Sequence, residues 1–257
     1  MWRGLSALAL WSVMGAAHAT GDPFGWHHSP STHITPANVT RLERAWVHRN
    51  GDMAAASGQP SSVSAQSTPI LLPRAAGEHL VYCTPFNRVI ALDPATGAER
   101  WSYDPQVPRT SERPYRCRGV AYAEIPQSGA DGACRHRIYG ATADRRLFAI
   151  DARDGLPCGR FGEAGVVTLA EHERYGLERV SSSSPPVVAN GVVVVGSSVI
   201  DFAYAEAPRG VVAAYDAETG TPRWTFDPLE GVGGTGAGNA WAPLAVDAAR
   251  GLVFVPT

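Results

Sequence analysis

The sequence predicts an all-β fold, a β-propeller of four-stranded blades, and two observations support it. A phrase ending in tryptophan, A-x-D-x-x-T-G-x-x-x-W, occurs at residues 91–101 and 214–224, with a degenerate copy at 149–161. The aspartates recur at roughly sixty residues, a period suited to a four-stranded blade with its loops. Short runs rich in valine, isoleucine and leucine precede each aspartate, bounded by turn residues. The alternative, a β-sandwich of unrelated hairpins, does not explain this repetition.

Each copy of the phrase is predicted to form the tight turn between the third and fourth strands of a blade. Its glycine takes a positive φ, and its aspartate and threonine side chains bond turn amides. The tryptophan then begins the outer strand, where we expect it to pack on the neighbouring blade and to find a partner for its indole N–H. Further turns are expected at Asn190-Gly191 and Arg250-Gly251, and a short helix within residues 35–46.

The repeats amount to about three and a half blades, because the half-blade that begins near residue 239 stops in mid-strand. A closed ring has about four to eight blades. We therefore expect this chain to be one piece of a larger ring or to need a partner. Alone, it would expose an apolar face and an unpaired strand edge, which favours aggregation.

The N-terminus predicts export. Residues 1–19 combine an arginine, a short apolar run and the small-x-small sequence Ala17-His18-Ala19, which together are typical of a signal peptide. An uncleaved anchor is the alternative, and residues 20–257 form the partial propeller domain in either case. The net charge of −2 and the absence of basic runs argue against nucleic acid as a partner.

The four cysteines permit disulfide bonds if the protein is exported. They are Cys83, Cys117, Cys134 and Cys158, and they allow three complete pairings. A bond between Cys117 and Cys134 would close a short loop, and we favour it. Cys83 and Cys158 are equally compatible with buried, unpaired thiols. No Cys or His spacing typical of zinc occurs.

An ordered set of segments carries a resemblance: "CTPFNRVIALDPATGAERWSYDP", "YRCRGVAY", "SSPPVVANGVVVVGSS" and "NAWAP". Together they resemble the pyrroloquinoline-quinone (PQQ) dependent alcohol and sugar dehydrogenases, above all the membrane-bound glucose dehydrogenase type with its quinate and polyol relatives. The likeness covers nearly all of residues 20–257. It implies an eight-bladed propeller with PQQ near its axis, beside a divalent cation (Ca²⁺ or Mg²⁺), and a quinone or cytochrome as electron acceptor.

Three residues are candidates for PQQ binding on this resemblance. Arg118 matches an arginine that reaches the oxygens of PQQ, and its planar fork of donors suits carboxylates and an ortho-quinone. Ser183 matches a hydroxyl donor, and Trp241 matches the indole on which the PQQ ring lies. The alternatives are an Arg118 paired with a local aspartate and a Trp241 that serves as another inter-blade contact.

Asp201 matches the acidic ligand of the cation, because hard cations prefer oxygen; a turn-capping aspartate is the alternative. The resemblance is incomplete here. Phe202 stands where the glucose type has an asparagine ligand, and Pro114 or Tyr115 stands where it has a histidine. The family's catalytic aspartate and lysine fall beyond Thr257, so no catalytic residue is assigned to this chain.

The resulting expectation is the N-terminal part of a periplasmic dehydrogenase that oxidises a sugar, polyol or cyclic alcohol. The enzyme is expected to pass electrons to ubiquinone or a cytochrome and to attach peripherally to the inner membrane. This chain alone is expected to be inactive. The alternative is a non-catalytic PQQ-repeat propeller that acts as an envelope scaffold of the outer-membrane assembly type.

Overall fold

Three four-stranded antiparallel sheets and one hairpin dominate the structure. A computed structural model describes residues 31–55, 63–109, 115–126, 132–169, 180–200, 207–233 and 236–257. The predicted signal peptide (1–19), Asp201, Phe202 and Pro114 lie outside these ranges. The described residues confirm the predicted all-β propeller class and the count of about three and a half blades.

In each blade, consecutive strands are hydrogen-bonded neighbours. Blade 1 contains β2 (Ile70–Leu71), β3 (Leu80–Cys83), β4 (Val89–Leu92) and β5 (Glu99–Tyr103). Blade 2 contains β7 (Ala121–Glu124), β8 (His136–Ala141), β9 (Arg146–Asp151) and β10 (Val166–Thr168). Blade 3 contains β12 (Val187–Ala189), β13 (Val192–Val195), β15 (Val212–Asp216) and β16 (Pro222–Phe226). The half-blade is the hairpin of β17 (Ala245–Asp247) and β18 (Leu252–Phe254).

Two short strand pairs lie outside the blades. Strand β1 (Val63–Ala65) pairs in parallel with β6 (Tyr115–Cys117), and β11 (Val180–Ser181) pairs antiparallel with β14 (Ser198–Val199). The helical content described is a four-residue α-helix (Asp52–Ala55) and two 3₁₀ turns, at Val39–Arg41 and Arg74–Ala76. The helix expected within 35–46 is therefore only a single 3₁₀ turn.

The core lies between neighbouring blades, because the middle strands are apolar on both faces. All four residues of β4 and all six of β8 are buried. One cluster fills the space between blades 1 and 2, a second that between blades 2 and 3, and a third that between blade 3 and the hairpin. The near-continuous apolar runs of the sequence thus reflect burial on both faces of each sheet.

The repeated turns form as predicted and nearly identically. In blade 1, Asp93 Oδ1 accepts the Thr96 N–H at 2.8 Å and the Thr96 hydroxyl at 3.0 Å. In blade 3, Asp216 Oδ1 accepts the same pair of groups from Thr219 at the same two distances. Gly97 and Gly220 have φ of 72° and 74°, so the left-handed position that favours glycine is used in both turns.

Aromatic rings cover the turn glycines of blades 1 and 2, and one of these rings, Trp101, comes from the neighbouring blade. A Cβ added at Gly97 would lie 2.5 Å from the Trp46 ring, and one at Gly155 would lie 2.6 Å from Trp101. The inter-blade contact is therefore confirmed for Trp101, and Trp46 makes the same contact although it lacks the repeat phrase. The expected partner of the Trp101 indole was wrong: its N–H is buried without an acceptor in the described chain, whereas that of Trp46 donates to the Pro94 carbonyl at 3.2 Å.

Two disulfides correct the expected pairing. Cys83 bonds Cys117, and Cys134 bonds Cys158, with Cα–Cα separations of 6.0 and 5.7 Å. The expected Cys117–Cys134 bond was wrong because Cys117 belongs to β6, which lies beside blade 1, while Cys134 precedes β8 of blade 2. Cys83 and Cys158 are buried as the alternative held, but neither is a free thiol.

Among the described residues, every helical segment is too short to cross a bilayer.

Candidate cofactor site

The candidate site lies where β6 approaches the pair β11–β14. Arg118 directly follows β6, and its backbone is fixed on two sides. Its N–H donates to the Ser183 carbonyl at 3.2 Å, and its own carbonyl accepts the Thr68 N–H at 3.0 Å. The loop between β6 and blade 2 is thereby tied to the serine-rich segment that leads into blade 3.

The structure brings together the three residues that the sequence nominates for cofactor binding. Arg118 Nη1 donates to Ser183 Oγ at 2.6 Å, and Arg118 Cζ lies 4.8 Å from the centre of the Trp241 ring. Ser183 and Trp241 lie 65 and 123 positions after Arg118 along the chain, so the fold and not local sequence creates the cluster. Asp201, the predicted cation ligand, lies outside the described residues.

The side chains of the four consecutive serines, residues 181–184, make different contacts. Ser182 Oγ accepts from Arg145 Nη1 at 2.6 Å, Ser183 Oγ accepts from Arg118, and Ser184 Oγ donates to the Ala240 carbonyl at 3.4 Å. All three are buried. Of these four serines, only Ser181 lines the cavity beside Arg118. Ser183 therefore contacts the site through Arg118, which it positions.

Trp241 is held at the site by its neighbour. The Ala240 N–H donates to the Ser197 carbonyl at 3.1 Å, which attaches this segment to the loop after β13. A Cβ added at Gly196 would overlap the Ala240 carbonyl oxygen, so this close approach requires glycine. Trp241 itself is 46% exposed. Because Arg118 covers one face of its ring, a planar ligand would use the remaining indole surface.

A cavity of about 330 Å³ opens beside these residues. Its polar lining consists of two guanidinium groups, two hydroxyl groups and one indole, which belong to Arg116, Arg118, Ser181, Ser198 and Trp241. Val199 and Ile200 add an apolar wall. Arginine donors, hydroxyls and an aromatic face together suit a flat ligand that carries negative charge.

The described lining of this cavity contains no carboxylate. Neither Arg116 nor Arg118 forms an ion pair within the part of the chain that the structure describes. Burial lowers the pKa of Arg118, and the positive charge of Arg116 lowers it further. The local aspartate partner considered for Arg118 is thus absent from the described residues, and the positive charges of Arg116 and Arg118 are uncompensated within the described lining.

A larger cavity, of about 550 Å³, lies elsewhere between blades 2 and 3. Its acidic lining residues each have an arginine partner: Glu124 pairs with Arg135 at 2.7 Å, Asp216 with Arg223 at 2.5 Å and Glu218 with Arg160 at 3.1 Å. None of the predicted site residues borders it. Its size alone therefore does not make it the better candidate, because its charges are already balanced.

Sequence reasoning missed Arg116, Ser181 and Ser198. The signal for Arg116 is the alternation along β6: Tyr115 and Cys117 are buried, while Arg116 between them is half-buried and faces the cavity with Arg118. Tyr115, which occupies the neighbourhood of the family's histidine, faces the core, where its hydroxyl donates to the Pro108 carbonyl at 2.9 Å.

No group of three His, Cys, Asp or Glu residues suited to a metal ion occurs among the described residues.

Comparison with known proteins assigns the chain to a family. Residues 17–257 match the profile of the PQQ glucose/ethanol/alcohol dehydrogenase β-propeller domain. The chain is 36% identical to the glycerol dehydrogenase large subunit of Gluconobacter oxydans, covering 94% of the chain and 34% of that protein. It is 32% identical to quinoprotein glucose dehydrogenase A of Acinetobacter calcoaceticus, covering 96% of the chain and 32% of that protein. The chain thus spans about a third of the length of these curated relatives.

Solved structures agree with the fold. The quinohemoprotein alcohol dehydrogenase of Pseudomonas putida aligns with a TM-score of 0.56 at 30% identity, covering 75% of this chain and 28% of that one. The quinohemoprotein alcohol dehydrogenase of Comamonas testosteroni aligns with a TM-score of 0.67 at 23% identity, covering 91% and 33%. The second likeness supports the fold alone.

Proposed function

This chain belongs to the PQQ β-propeller family of glucose, ethanol and alcohol dehydrogenases, and we propose that it provides one wall of the PQQ site in such an enzyme. The complete protein is an eight-bladed, periplasmic dehydrogenase, and this chain is its N-terminal part, exported by residues 1–19. The substrate is a sugar, polyol or cyclic alcohol, and the electron acceptor is ubiquinone or a cytochrome at the inner membrane. The chain alone has no turnover.

One observation carries the proposal: Arg118, Ser183 and Trp241 converge beside a cavity whose described lining has two arginines and no carboxylate. A scaffold needs the repeated turns and the docked aromatic rings, but it does not need this cluster. The convergence therefore favours a ligand-binding propeller over the non-catalytic scaffold.

The chemistry of the donor set fits PQQ, a planar ortho-quinone with several carboxylates. Arginine forks bind carboxylates in bidentate fashion, and the Trp241 face suits a flat ring. When bound, PQQ supplies the quinone that accepts the electrons of alcohol oxidation. Arg118 would hold its oxygens, Ser183 would fix Arg118, and the Val199 side chain would exclude water from that wall.

We further propose Asp201 as an oxygen ligand of Ca²⁺ or Mg²⁺. Its support is indirect: Ile200, the preceding residue, lines the same cavity. No described residue is assigned as the catalytic base.

The test uses the protein encoded by the complete reading frame. PQQ is titrated into the purified apoprotein with Ca²⁺, with Mg²⁺ and with neither, and tryptophan fluorescence is followed. We expect saturable, cation-dependent binding, together with dye reduction when glucose, glycerol or quinate is added to the loaded protein.

The matched control is Arg135→Gln, which removes an exposed arginine paired with Glu124 on blade 2. It should bind PQQ with the affinity of the wild type, whereas Arg118→Gln should bind PQQ more weakly. Failure of the wild type to bind PQQ under every cation condition would overturn the proposal and favour the scaffold. Unchanged binding by Asp201→Ala would overturn the cation ligand alone.

A further inference from the structure

Arg116 lies on β6, a strand that is fixed by backbone pairing and by a disulfide bond. The strand β6 is only three residues long, yet it pairs with β1, where Ser64 is opposite Arg116, and Cys117 ties it to Cys83 of blade 1. Side chains two residues apart along an extended chain lie on the same side. Arg116 and Arg118 therefore face the cavity together, with the disulfide between them on the core side.

The guanidinium of Arg116 has unused hydrogen-bonding capacity. Its Nε–H is buried and has no acceptor within the described chain, and no described carboxylate pairs with it. A buried donor without an acceptor costs free energy, and proteins rarely leave one unsatisfied unless another group completes it. The described side chains therefore supply no acceptor to this group, and the Arg116 side chain also lines the cavity.

Two guanidinium groups on one cavity wall also repel each other. Burial lowers the pKa of Arg118, and the charge of Arg116 lowers it further. An anion that contacts both arginines would offset this repulsion, and a carboxylate matches the planar donor geometry of each.

We propose that Arg116 is a second anion-binding residue of this cavity, whose guanidinium holds a carboxylate of PQQ together with Arg118. This inference rests on the function proposed above and adds a residue to it. The cavity wall is then a two-arginine clamp, and Arg116 contributes binding energy while Trp241 contributes the ring contact.

The experiment compares Arg116→Gln, Arg116→Lys and the control Arg135→Gln in the protein from the complete reading frame. Affinity for PQQ is measured by isothermal titration, and thermal unfolding is recorded without PQQ. Losing a charge-assisted hydrogen bond should weaken PQQ binding about 10- to 150-fold in Arg116→Gln. Arg116→Lys should recover part of this loss, and Arg135→Gln should show none.

A second ligand separates binding from a merely structural role. The methyl ester of PQQ, in which the carboxylates are neutral, should bind more weakly than PQQ to the wild type. That difference should shrink in Arg116→Gln, because the residue that recognises the charge is gone. A structural defect would instead weaken both ligands equally.

The outcomes are distinct. If the wild type fails to bind PQQ, the proposed function is wrong. If the wild type binds but Arg116→Gln has the same affinity, or loses PQQ and its ester equally, the assignment of Arg116 is overturned while the proposed function stands.

Discussion

The arginines at the repeated turns and those at the cavity wall differ in their partners. At the turns, each aspartate has its own arginine nearby: Arg100 bonds Asp93, Arg223 bonds Asp216 at 2.5 Å, and Arg250 bonds Asp247 at 2.6 Å. At the cavity, Arg116 and Arg118 lie side by side with no carboxylate in the described lining. Charges that are paired within the chain stabilise a turn, whereas two arginines with no carboxylate in the described lining are available to a ligand of opposite sign.

The two disulfides should give the largest difference between the two regions. Each closes a loop of similar length, with separations of 34 and 24 residues, so removing either should lower the free energy of unfolding by about 3–4 kcal/mol. Only Cys83–Cys117 holds β6, which carries Arg116 and is directly followed by Arg118. Serine pairs at each bond should therefore destabilise equally in urea, but only the Cys83/Cys117 pair should also weaken PQQ binding. Equal affinity losses from both pairs would contradict this prediction.

Replacing the two tryptophans should also separate stability from PQQ binding, with a smaller loss of stability than for the disulfides. Trp101 packs against the core between blades 1 and 2 and covers Gly155, whereas Trp241 is 46% exposed at the cavity. Trp101→Ala should cost about 2–3 kcal/mol of stability, below the range for full burial. Trp241→Ala should change stability little and weaken PQQ binding. Chemical denaturation and PQQ titration of both variants check this, and a Trp241→Ala protein that binds normally would contradict it.

The smallest effect is the pH dependence of the turns. The Arg100 guanidinium and the Thr96 N–H lower the pKa of Asp93 to about 2. Partial burial opposes the same shift at Asp216, but Arg223 and Thr219 outweigh it and its pKa is also about 2. A lowered folded-state pKa gives stability that is present above the unfolded value of about 3.9 and is lost as pH falls towards 2.

We therefore expect unfolding free energy to fall between about pH 4 and pH 2, measured by urea titration at each pH. Asp93→Asn and Asp216→Asn should each flatten that fall. A profile unchanged by both substitutions would show that the turn carboxylates do not contribute.

The blades and turns could be predicted from the sequence because their signals are local. An aspartate, a threonine and a glycine at fixed spacing define the turn, and the same hydrogen bonds recur at Asp93 and Asp216. The arginine seven residues after each of these aspartates was overlooked, although it belongs to the same local pattern. Trp46 was also overlooked, because it covers Gly97 without carrying the repeat phrase.

The site could not be predicted from spacing alone, because its members come from distant segments. Arg118, Ser183 and Trp241 were nominated by resemblance, and only the fold shows that they touch. The disulfide pairing failed for the same reason: short sequence separation favoured Cys117–Cys134, whereas packing of β6 against blade 1 brings Cys117 to Cys83. Arg116 became visible only when the pairing of β6 fixed the side it faces.

The most direct measurement compares Arg118→Gln with Arg100→Gln in the protein from the complete reading frame, with PQQ affinity and unfolding free energy recorded for each. Arg118→Gln should weaken PQQ binding at least about tenfold and lower stability by about 0.5–1.5 kcal/mol, because it removes the hydrogen bond to Ser183 but no described ion pair. Arg100→Gln should leave affinity unchanged and lower stability by less than about 1 kcal/mol, as exposed ion pairs do. Equal affinities for the two variants would contradict the central claim that unbalanced arginines at the cavity bind the cofactor.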